Sequence, residues 1–76
     1  MNDREYIIKE AELVLKYILE DNEKFDNKKQ ARARIFNSIK GVVTCQIGGL
    51  NELDIAIEDV KSIINNMVDA NIDKLI

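Results

Sequence analysis

Val42-Val43-Thr44-Cys45-Gln46-Ile47-Gly48-Gly49 holds the only cysteine of the chain, a β-branched pair and the only adjacent glycines. It reads as a short strand, as a nucleophile on a glycine loop, or as the end of a helix. The fold class turns on that choice, and phase decides it. Ile35, Phe36, Ile39, Val42, Val43 and Ile47 recur at helical spacing, and Ala31 extends the same face one turn earlier. A glycine inside a helix costs about 1 kcal/mol relative to alanine, yet the apolar phase passes through Gly41 without a shift. The stretch is therefore expected to be the last turns of a helix over 27–47. Gly48-Gly49 is its stop, one glycine supplying the left-handed terminal conformation.

Working outward, Ile7, Ala11, Val14 and Ile18 are spaced 4-3-4, with Ile8, Leu15 and Leu19 widening the stripe. That pattern predicts an amphipathic helix over 3–20, capped by Asn2 or Asp3. Residues 21–27 are polar and turn-forming around Phe25, which is expected to fold back as a staple onto the second helix. On the other side, Asn51 reads as a cap, with Asp54 in a capping-box-like position. Leu53, Ala56, Ile57, Val60, Ile63, Ile64 and Met67 then make one apolar face, continuing through Val68, Ile72 and Leu75. A third helix over 51–75 would be roughly 37 Å long at 1.5 Å per residue. It outruns the first helix, so its surplus apolar edge, Ile72 and Leu75, is expected to face a partner or a second copy. Asn71 falls on this seam, either as a register-setting polar residue or as a frayed last turn.

The expected architecture is all-α, an antiparallel three-helix bundle forming a single domain over 1–76, with a homodimer through the third helix as an option. The absence of proline and the presence of only three glycines agree with long helices and short turns. A chain of 76 residues buries only about 60% of its unfolded surface and needs help from packing or a partner. One cysteine and no histidine rule out an internal disulfide and leave a zinc site without its usual ligands. No cofactor is expected. The lone thiol, the polar start Asn2-Asp3-Arg4-Glu5 and the lack of a long apolar run predict a cytoplasmic chain with no leader and no membrane span.

The charge is segmented. Residues 1–23 sum to −4, residues 24–40 to +5 and residues 41–76 to −4. Lys24, Lys28, Lys29, Arg32, Arg34 and Lys40 make the middle segment basic. Six cations there suit phosphate contacts. The competing reading is a basic helix held between two acidic ones by complementary fields. The net charge of −3 favours the second, with the two aromatics of the segment, Phe25 and Phe36, read as staple and core residues rather than as stacking platforms. The segment after the glycines begins Asn51-Glu52-Leu53-Asp54, and as a recognition helix it would be repelled by DNA.

Catalysis finds little to work with. The commonest general base is missing. Cys45 is expected near a helix C-terminus, where the dipole opposes a thiolate, and is read as a small core residue. Gly48-Gly49 lacks the further glycines and the lysine of a phosphate loop. The carboxylates show no calcium-loop spacing and read as solvated helix faces. Tyr6 and Tyr17, eleven residues apart, share a face as edge residues or interface anchors. The basic helix lacks the tryptophan that anchors a surface-bound helix, and no membrane association is expected.

What remains is interaction. The sequence predicts a non-enzymatic protein-protein interaction module: a small accessory protein of bacterial or phage type that docks on, and inhibits or adapts, a larger partner. Immunity, antitoxin-like and anti-host factors are of this size and class. The candidate contact residues are Lys28, Lys29, Arg32, Arg34, Ile72 and Leu75. The alternative is a nucleic-acid-binding accessory protein using the basic second helix.

Overall fold

The computed structural model describes residues 2–76. They are all-helical and compact, with four helices of which three are substantial: α1 (Asp3–Glu20), α2 (Lys28–Gln46), α3 (Ile57–Ala70) and the short α4 (Ile72–Leu75). No strand occurs among the described residues.

The first two helices begin where asparagine caps them. The Asn2 side chain accepts from the Glu5 N–H at 2.8 Å, and the Asn27 side chain accepts from the Gln30 N–H at 3.0 Å. Each bond satisfies one of the amide donors that a helix start leaves orphaned. Gln30 reaches back to the Asp26 N–H at 3.1 Å, which fixes the entry into α2. α2 ends at the glycines. The Gly48 N–H returns to the Val43 and Thr44 carbonyls at 3.1 and 3.2 Å, with φ +112° at Gly48 and +148° at Gly49. The opening stretch is thus helix through Gln46, and Gly41 does not break it.

The third segment differs from the expected helix over 51–75. Leu50–Glu52 is one 3₁₀ turn, and α3 starts only at Ile57, behind an Ala56 that supplies no side-chain cap. The reason is tertiary. The Asp54 N–H donates to Asp3 Oδ2 at 2.5 Å, tying the connection to the first turn of α1. Leu50, Leu53 and Ile55 meanwhile pack on the core from irregular backbone. At the other end Asn71 leaves helical geometry (φ −121°, ψ 21°), and its side-chain amide donates to the Met67 carbonyl at 2.9 Å. The amides of Lys74 and Leu75 then bond to the Asn71 carbonyl and start α4. Asn71 is therefore a corner between α3 and α4 rather than a frayed end.

The corner turns Leu75 inward, where it is fully buried. It joins Ile7, Ala11, Val14 and Ile18 of α1, Ala31, Ile35, Ile39 and Val43 of α2, and Val60, Ile63, Ile64 and Val68 of α3. The core is wholly aliphatic, and no polar side chain is buried among the described residues. Phe25 packs against this cluster from the first connection, and its N–H donates to the Leu75 carbonyl at 2.8 Å.

Candidate docking groove

The buried face of α2 follows Ala31, Ile35, Ile39 and Val43. At 100° per residue Arg34 falls on one flank of that face and Lys29 on the other, with Arg32 toward Lys29 and Lys28 only 40° from Arg32. On one flank Arg34 turns toward the first connection. Its Nε and one terminal nitrogen each lie 3.2 Å from a Glu23 carboxylate oxygen, and its other terminal nitrogen donates to the Ser38 hydroxyl. Lys28 pairs with Asp69 of α3 at 3.1 Å. Lys24 Nζ donates to the Lys74 carbonyl at 2.5 Å. These three cations are engaged within the chain, through contacts at or near the surface.

On the other flank Lys29, Ala33, Phe36, Lys40 and Thr44 form a second stripe facing α3. Two hollows open along it and share Phe36. The smaller, about 410 Å³, is lined by Lys29, Arg32, Ala33 and Phe36 of α2 with Lys61, Ile64 and Asn65 of α3. The larger, about 550 Å³, lies between Phe36, Lys40 and Thr44 and the residues from Gly48 to Val60 that cross beneath them. Its floor is apolar, with Leu50, Ile55, Ile57 and Val60. Lys29, Arg32, Lys40 and Lys61 make no ion pair among the described residues. No aspartate or glutamate lines either hollow, although the chain carries 14 of them. A groove with an apolar floor and an unpaired basic rim therefore runs along the α2–α3 seam.

No family model, curated protein or solved structure matches this chain.

The expected site residues separate accordingly. Lys29 and Arg32 lie in the groove, whereas Lys28 and Arg34 are engaged elsewhere. Leu75 is a core residue and Ile72 packs against the core half-buried, so they do not form the expected contact edge. Lys40 belongs to the groove through its position on the α2 stripe, and Lys61 through α3. Cys45 is exposed and not the core residue expected, because it sits two residues, or about 200°, beyond the buried Val43. Tyr6 and Tyr17 part company. The Tyr6 hydroxyl donates to the Gln46 side chain on α2, whereas Tyr17 is 54% exposed. Burial, and then the neighbouring Glu10 carboxylate, raise the Tyr6 pKa above its ordinary value. Among the described residues no group of three or more His, Cys, Asp or Glu is placed to hold a metal, and no helix is long and apolar enough to cross a membrane.

Proposed function

We propose that this chain is a non-enzymatic protein-binding module, an antiparallel three-helix bundle that docks on a larger partner through the α2–α3 groove. The observation that carries the reading is the groove itself: four cations that make no ion pair among the described residues, around an apolar floor that no described carboxylate lines. Charge complementarity at such a rim selects a partner and speeds its approach, while the apolar floor supplies the burial that holds it. The up-down-up arrangement is supported by end-to-end contacts. The start of α1 meets the end of α2 through Tyr6 and Gln46, and Lys28 near the start of α2 meets Asp69 near the end of α3.

Nucleic-acid binding by the same rim is the second reading, favoured by the same unpaired cations. The net charge of −3 and the acidic segments on either side of the basic one weigh against it. Capture from nuclease-treated source lysate separates the two. The wild-type chain is expected to retain a protein that the Lys29→Glu/Arg32→Glu variant does not. Equal retention by both, or loss of all binding on nuclease treatment, sinks the proposal.

A further inference from the structure

The form of the groove says more about its occupant. This step rests on the docking reading above and specifies the chemistry of the partner. The hollows meet at Phe36, and their linings on α2 centre near Ala33 and Lys40. Seven residues of helix separate those centres, about 11 Å at 1.5 Å per residue. Together the linings follow α2 from Lys29 to Thr44, about four turns. An occupying helix laid along the seam would place side chains seven positions apart over the two hollows. The charges are uneven along the groove: Lys29, Arg32 and Lys61 surround the smaller hollow, and Lys40 alone borders the larger.

We infer that the groove takes an acidic amphipathic helix of a partner protein, with two large apolar side chains at positions i and i+7 and carboxylates clustered around the one that enters the smaller hollow. Three features of the groove support a helix over other shapes. At the smaller hollow the seam is the trough between two packed helices, which accepts a third helix as a ridge into a groove, and the larger hollow prolongs it between α2 and the connection into α3. An extended peptide gains affinity by adding to a sheet edge, and none exists among the described residues. The floor is apolar with Phe36 at its centre, so binding buries side chains rather than hydrated phosphate.

The test uses synthetic helical peptides and the full chain labelled with ¹⁵N. The parent peptide carries leucines seven positions apart, with glutamates flanking the first. One control replaces the glutamates with lysines, one replaces both leucines with alanine, and one sets the leucines five positions apart. The parent is expected to shift the amide signals of Ala33, Phe36, Thr44 and Gly49. Each control, and a Lys29→Glu/Lys61→Glu variant of the chain, is expected to weaken binding at least tenfold. Both substituted lysines are exposed, so the variant keeps the fold, and unchanged signals of core amides check this. Equal binding by the lysine peptide at the same amides overturns the acidic occupant and leaves the docking reading standing. No shift from any peptide overturns the helical occupant. The same amides shifting with duplex DNA but with no peptide overturns both readings. Their shifting with chain concentration alone makes a second copy the occupant and overturns the inference.

Discussion

The Phe25 N–H donates to the Leu75 carbonyl at 2.8 Å, joining the first connection to the last helical turn. With Lys24 on the Lys74 carbonyl, it satisfies acceptors that the end of α4 would otherwise present to water. The last four helical residues are thereby part of the domain and close its core.

Removing the Leu75 side chain should therefore be expensive. Leu75→Ala is expected to lower stability by about 2–5 kcal/mol, a large share of what a small domain has. The exposed neighbour Ile76→Ser should change it by no more than about 0.5 kcal/mol. Urea midpoints compare the two, and equal effects would return α4 to the surface.

The cations of α2 should separate by the same measurement. Arg34 and Glu23 meet through two parallel bonds with side chains only 39% and 31% exposed, a geometry better than the usual surface pair. Solvent screening still limits its worth, so Arg34→Ala is expected to cost about 1 kcal/mol. Lys29→Ala and Lys61→Ala, which remove no ion pair, should stay within about 0.5 kcal/mol of the parent. A loss at Lys29 as large as that at Arg34 would mean that the rim stabilises the fold after all.

The glycines should respond with opposite signs. A Cβ at Gly41 meets open space on a regular helix, so Gly41→Ala is expected to stabilise by about 1 kcal/mol. A Cβ at Gly49 would lie 2.7 Å from Asn51 Oδ1 on backbone at φ +148°, so Gly49→Ala is expected to destabilise by about 1–3 kcal/mol. Thermal melts of the two variants check the pair.

Alkali offers a further test. The Tyr6 pKa is raised in the folded chain, by burial and then by Glu10, so folding favours the neutral phenol. That contribution is complete below the unfolded tyrosine pKa, near 10, and is lost as pH rises through the folded value. Stability is expected to fall over that window in the parent and to fall less in Tyr6→Phe. Urea titrations at about pH 9 and about pH 11 measure it, and parallel slopes for both proteins would count against a linked proton at Tyr6.

The first two helices were legible because their determinants are local. α1 falls on the expected 3–20, and α2, at Lys28–Gln46, falls within a residue of 27–47, each starting at an asparagine in phase with an apolar stripe. Asn51 carries the same cap chemistry ahead of Leu53 and Ala56, also in phase, yet no α-helix starts there. What distinguishes it is Asp3, 51 positions upstream of the amide it accepts, and no local pattern signals that bond. The corner at Asn71 was visible only as a polar residue on an apolar seam. The groove was legible by half. Proximity in sequence grouped Lys28, Lys29, Arg32 and Arg34 as one basic face, whereas helix angle removes Arg34 and the pairing with Asp69 removes Lys28. The stripe Lys29, Ala33, Phe36, Lys40 and Thr44 is readable from its 4-3-4-4 spacing. Lys61 arrives from another helix, and nothing in one sequence pairs it with Arg32.

The aliphatic core also determines how this protein reports on itself. Neither tyrosine is fully buried in it: Tyr6 packs against it half-buried at the α1–α2 edge, and Tyr17 faces solvent. Near-ultraviolet absorption and emission will therefore be almost silent about the interior, and their small amplitude will come from Tyr6 leaving Gln46. Circular dichroism of the amides follows the helices instead. Coincident midpoints from the two signals would mark a single cooperative event, and an earlier aromatic transition would time the opening of that edge ahead of collapse of the centre.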